Sequence, residues 1–111
     1  MAAGTITYVY PVAGATPPTA AEVGLLSMVI ADAVFGVNDT VATITHNLAT
    51  SAAGADGFPE ISFCLTAGGV LAPLPIFAYV NANSISIAKA AVGATTDATY
   101  RVWIKRHTIY R

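Results

Sequence analysis

Charge is what this 111-residue chain most lacks: Asp, Glu, Lys and Arg together make up 10%, against about 25% in ordinary globular domains. Hydrophobic residues reach 55%. So few charges cannot cover a small monomer. Either Thr, Ser, Ala and Asn make up much of the surface, or part of it is buried against partners. Both are expected here, in a homo-oligomer or a subunit of a larger assembly. Cysteine is nearly missing too. Cys64 alone excludes an intrachain disulfide framework, and its place in an alternating run makes it a small strand residue. Long apolar runs are absent. Val23–Val37 is interrupted by Gly24, Ser27, Asp32 and Gly36, and falls short of the roughly 20 residues a membrane-spanning helix needs. The opening MAAGTITYVYP has no basic or compact apolar region of a secretory signal. No membrane partner is implied, and without a signal the sequon Asn38-Asp39-Thr40 carries no weight.

The groups that carry chemistry are equally sparse. The two histidines, His46 and His107, form no metal-ligand spacing with each other or with Cys64. There is no Gly-x-Ser-x-Gly elbow, and Gly68-Gly69 joins two β segments instead of cradling a phosphate before a helix. Cys64, His46 and Asn47 are the residue types of a Cys-His-Asn site, but chance placement accounts for them. Asp56 and Glu60 sit in a loop and at a strand start, where acids are usually solvated. The chain reads as a non-enzyme that needs no cofactor and no metal.

What is present is β-structure. Residues 1–111 make one domain, with an N-terminal strand and Pro-rich arm over 1–22 and a sandwich body over 23–111. Thr5–Tyr10 is a strand closed by Pro11, with Ile6, Tyr8 and Tyr10 on one face. Ala13–Ala21 is a Pro/Ala/Thr segment whose Pro17-Pro18 cannot join a sheet interior. It is a connector on the surface, or an arm that crosses to a neighbouring subunit. Glu22–Gly36 fits a helix with Leu25, Met28 and Val29 on one face. Its Val, Ile and Phe favour a strand with Leu26, Met28 and Ile30 together, broken near Ala31-Asp32.

Thr40–Thr66 organises the chain and reads as a hairpin. A strand ends at His46-Asn47-Leu48, a loop over Ala49–Gly57 has six Ala or Gly among its nine residues, and a second strand alternates Ile61, Phe63 and Leu65 with Ser62, Cys64 and Thr66. Val70-Leu71 is a short edge piece and Ile76–Val80 a strand. Asn81-Ala82-Asn83 is a turn, Ser84–Ala90 a strand, and Ala98–Tyr110 the last strand, with Tyr100, Val102 and Ile104 on one face. Seven to eight strands with turns between them imply an all-β fold, an antiparallel β-sandwich or jelly-roll-like domain.

Charge is unevenly spread. One base and six acids give −5 over residues 1–97, and four bases give +4 over 98–111. The last strand sets Arg101, Trp103, Lys105 and His107 on one face, followed by Arg106 and Arg111. A cationic face with an aromatic is how single-strand nucleic-acid binders are built. The net charge of −1 gives little steering to a polyanion, so protein docking is the favoured use. The expected interface is Arg101, Trp103, Lys105, Arg106, His107 and Arg111, together with Pro17 and Pro18 of the arm.

Four segments carry a family resemblance: Ile44-Thr45-His46-Asn47-Leu48, the strand opening at Phe58-Pro59, Asn83-Ser84-Ile85-Ser86-Ile87, and Tyr100-Arg101-Val102-Trp103-Ile104. Together they resemble small β-sandwich virion proteins of tailed bacteriophages, namely capsid decoration (cement) proteins and related tail-fibre modules. The resemblance covers Thr40 to Arg111. Ala49 stands where that family commonly has Gly, and the following loop is longer than usual. The resemblance implies a structural protein on the outer surface of the phage head, a homotrimer bound to the major capsid protein and stabilising capsomer contacts. A single chain of one domain fits decoration better than a fibre. The alternative is a tail-fibre or head-fibre module that binds a host receptor or glycan through the loops around His46–Gly57 and Asn81–Asn83.

Overall fold

A computed structural model describes residues 2–23, 28–36, 39–51, 57–68, 75–89 and 97–106. The strands are β1 (Ala2–Ala3), β2 (Thr5–Tyr10), β3 (Met28–Phe35), β4 (Asp39–Thr45), β5 (Pro59–Gly68), β6 (Pro75–Asn81), β7 (Ser84–Lys89) and β8 (Ala98–Arg106), with a four-residue helix α1 (Ala20–Val23). They form a front sheet ordered β1-β4-β7-β6 and a back sheet ordered β2-β3-β8-β5. Seven strands pair antiparallel, and the two-residue β1 adds in parallel to β4. The fold is all-β and compatible with a β-sandwich.

The faces follow from alternation. Val29, Ala31, Ala33 and Phe35 of β3, and Ala98, Tyr100, Val102 and Ile104 of β8, point inward from the back sheet. They meet Ala42 and Ile44 of β4 and Ile85 and Ile87 of β7. Alanines in β3 leave room for the large rings beside them. Phe35 and Tyr100 meet edge-on, with centroids 6.0 Å apart at 70°, a geometry worth about 0.5–1.5 kcal/mol beyond area burial. The Phe35 ring also lies over Gly4, where a Cβ would sit 2.8 Å from it. Tyr8 links the sheets: its hydroxyl accepts a hydrogen bond from the Thr45 N–H at 3.0 Å, and burial raises its pKa.

Several expectations are corrected. Glu22–Gly36 contains a strand, but β3 is unbroken through Ala31-Asp32 and its buried set is the opposite one: Met28 and Ile30 are only half-buried on the outer face. On the core face the small Ala31 and Ala33 stand beside Tyr8 and Tyr100 as their cross-strand partners. Among the described residues helix occurs only at α1, where Thr19 and Glu22 make reciprocal capping bonds of 2.8 and 3.2 Å. Thr40–Thr66 is not a hairpin: β4 pairs with β1 and β7 in the front sheet, and β5 pairs with β8 in the back sheet. Val70-Leu71 and residues 107–110 of the expected last strand lie outside the described residues.

Candidate interaction surface

The C-terminal basic run meets the structure first. Arg101, Trp103 and Lys105 do share the outer face of the back sheet, since the residues between them point into the core. They do not make a cationic field. Arg101 is held by Asp32 of β3, its exact cross-strand partner, through Nε–Oδ1 at 2.8 Å and a second nitrogen on Oδ2 at 3.0 Å. That carboxylate raises the guanidinium's pKa above its ordinary value. Glu60 of β5 stands opposite Lys105 in the register. Trp103 is half-buried between its neighbours.

Arg106 falls in the other phase and turns to the loop after β4. Its Nε donates to the Ala49 carbonyl at 3.4 Å, and its guanidinium lies 3.1 Å from where a Cβ on Gly57 would be. Gly57 has φ of 89°, which only glycine adopts at little cost. Arg106 therefore clamps this chain's own loop. His107 and Arg111 lie outside the described residues.

The Pro-rich arm is folded back on its own subunit. Tyr8 N–H donates to Gly14 O at 2.7 Å and Gly14 N–H to Tyr8 O at 3.0 Å. The Asn47 side-chain amide donates to Pro18 O at 2.7 Å. Pro18 is fully buried, which corrects its place among interface residues: its ring is already packed within its own chain. Pro17 is half-exposed.

His46-Asn47-Leu48 is a hydrogen-bonded corner. His46 and Asn47 N–H both donate to Asn83 O, at 2.8 and 3.2 Å, and Thr50 N–H donates to Ala82 O at 2.7 Å. Ala49 N–H donates to Asn83 Oδ1 at 3.1 Å. Asn47 and Ala49 take φ of 55° and 54°, so the corner turns through left-handed backbone. Inside it, His46 Nδ1 accepts from Leu48 N–H at 3.0 Å, which puts the ring proton on Nε2. That nitrogen is buried without a hydrogen-bond partner. Burial lowers the His46 pKa to about 4, keeping the ring neutral. Cys64 is exposed on the outer face of the opposite sheet, so the two are not brought together as nucleophile and base. Among the described residues no group of three His, Cys, Asp or Glu could hold a metal ion, and no helix is long and apolar enough to cross a membrane.

Among the described residues, the most exposed apolar surface lies at the side of the sandwich formed by β5 and β6. Each is the last strand of its sheet. Ile61, Phe63 and Leu65 of β5 sit opposite Ile104, Val102 and Tyr100, and Phe77 and Tyr79 of β6 sit opposite Ile87 and Ile85. All five therefore lie in the core-facing phase, at the rim. Phe63 and Phe77 touch across the gap, with centroids 5.5 Å apart. Yet Phe63 is 39% exposed, Leu65 48% and Tyr79 44%, and outward-facing Ile76 is 60% exposed. Neither Ile61–Thr66 nor Ile76–Asn81 contains a charge. Alternation reveals the faces of such strands but not that both are edges. The legible hint is a pair of apolar stretches, Ile61–Thr66 and Ile76–Asn81, with no charge of their own.

The fold and these surfaces define an all-β, sandwich-like protein with an exposed apolar flank and a tightly bonded corner. No family model, curated protein or solved structure matches the chain.

Proposed function

We propose that this chain is a structural virion protein of a tailed bacteriophage. It would be a capsid decoration (cement) protein that assembles as a homotrimer on the major capsid protein at the outer surface of the head. The observation that carries an assembly role is the β5/β6 flank, where five large apolar side chains, Phe63, Leu65, Ile76, Tyr79 and Val80, are 39–60% exposed. A monomer gains nothing from such a surface, whereas a contact between subunits buries it. The virion assignment is supported by the resemblance in the strand motifs. His46-Asn47-Leu48 forms the corner after β4, Ser84–Ile87 falls in β7, and Tyr100–Ile104 falls in β8. Repeated modest contacts across a shell would supply holding strength through avidity.

The test is co-sedimentation of the purified protein with expanded, undecorated phage heads, followed by heating of the decorated shells. Saturable binding and a higher rupture temperature are expected. A protein that leaves the shells bare and their rupture unchanged would overturn the reading, and binding to a host glycan array instead would favour the fibre-tip alternative.

A further inference from the structure

The outer face of the back sheet holds a row of apolar groups that the core does not use. Ile30 of β3 lies between Tyr10 of β2 and Trp103 of β8 in the register. All three are half-buried on the outer side, because Val29, Ala31, Val102 and Ile104 beside them fill the core. Tyr10 reaches this row through a bulge. Unbroken alternation would set it inward with Ile6 and Tyr8, opposite Val29. A register shift between Tyr8 and Tyr10 places it opposite Ile30 instead, and bulges of this kind re-aim a side chain. Two aromatic side chains thus flank one aliphatic side chain across two strand spacings, about 9.5 Å.

Charged pairs border the row on both sides. On one side are Asp32 and Arg101, joined at 2.8 and 3.0 Å. On the other, Lys105 stands opposite Glu60. Each border is neutral in sum and holds donors and acceptors together. The Arg101 and Asp32 side chains stay 39% and 20% exposed, so a ligand lying on the row reaches them. Asp32 engages only two of the five guanidinium N–H groups.

We infer that this row is a binding site for an uncharged oligosaccharide chain, with one sugar ring stacked at Tyr10 and another at Trp103. The C–H groups on one face of a pyranose carry a slight positive charge, which the negative face of an aromatic ring attracts. Sugar hydroxyls both donate and accept. They serve the carboxylates of Asp32 and Glu60 as well as the N–H groups of Arg101 and Lys105. Other chains that stack on aromatics fit less well. A Pro-rich segment offers carbonyl acceptors and few donors, which leaves both carboxylates unanswered. A nucleic-acid strand brings its phosphates beside those same carboxylates. The site lies apart from the β5/β6 flank and does not rest on attachment to a phage head.

The experiment uses the full chain alone, so its outcome is separate from that of shell binding. Trp103 is the only tryptophan, and its emission reports on this row. Native gels containing soluble β-glucan, galactomannan or dextran are expected to retard the protein in at least one case. The same polysaccharide should move Trp103 emission to the blue and shield it from quenching by acrylamide, a readout that needs no variant. Tyr10→Ala should weaken the retardation by at least about tenfold, while Tyr10→Phe, which keeps the ring, binds as the wild type does. Failure of all three polysaccharides to retard the chain, retardation that leaves Trp103 open to acrylamide, or a folded Tyr10→Ala that binds normally would each overturn the site. So would polyproline or oligo(dT) moving the emission where the polysaccharides do not.

Discussion

His46 makes the protein's stability depend on pH between its unfolded and folded pKa values. Its side chain is wholly buried, and burial lowers its pKa from 6.5 to about 4. Between those values the unfolded chain carries a proton on His46 that the folded chain refuses. Stability therefore rises with pH through the window, is complete above about pH 7, and is lost as pH falls toward 4. With 1.36 kcal/mol per pKa unit, the loss between pH 8 and pH 5 reaches at most about 2 kcal/mol. The sign is that of a histidine buried neutral, opposite to that of one gaining an acidic partner. Urea unfolding at several values between pH 5 and pH 8 measures it. His46→Gln, whose carbonyl can still accept from Leu48 N–H, should flatten the curve between pH 5 and 6.5. A wild-type slope that is flat, reversed, or equally present in His46→Gln would refute the reasoning.

Ala49 holds φ of 54°, where an L side chain costs about 1–2 kcal/mol and glycine returns roughly 0.5–1 kcal/mol of that through chain entropy. Ala49→Gly is therefore expected to stabilise by about 0.5–1 kcal/mol in urea unfolding; a fall in stability would contradict it. Tyr8→Phe strands the Thr45 N–H between the sheets and should cost about 1–3 kcal/mol, where an unchanged denaturation midpoint would show that water replaces the hydroxyl. Gly4→Ala drives a methyl into the Phe35 ring and should cost about 1–3 kcal/mol. The double variant Gly4→Ala/Phe35→Leu should recover part of that, and no recovery would place the strain elsewhere.

Much of the sandwich was legible because alternation is local. Thr5–Tyr10 was bounded correctly, the turn at Asn81–Asn83 joins β6 to β7, and Tyr100, Val102 and Ile104 face the core as their spacing implies. Lys89 was legible in principle: it keeps phase with Ile85 and Ile87, and it is buried with its ammonium on the Gly36 carbonyl at 2.9 Å. The motif His46-Asn47-Leu48 could be located but not explained, because its partners Asn83, Ala82 and Pro18 are distant in the chain.

The sequence by itself determined the class of fold, the position of most strands, and the lack of any spacing suited to metal or nucleophilic chemistry. These follow from side-chain period, turn residues and composition, all read within a few residues. Tertiary structure alone decided which strands are neighbours and which are edges. It neutralised Arg101 with Asp32 from 69 residues away, turned Arg106 onto the chain's own loop, and left Phe63, Leu65, Ile76 and Tyr79 uncovered. Pairing in a sheet is non-local, so a strand's sequence states which face is apolar but not what stands beside it.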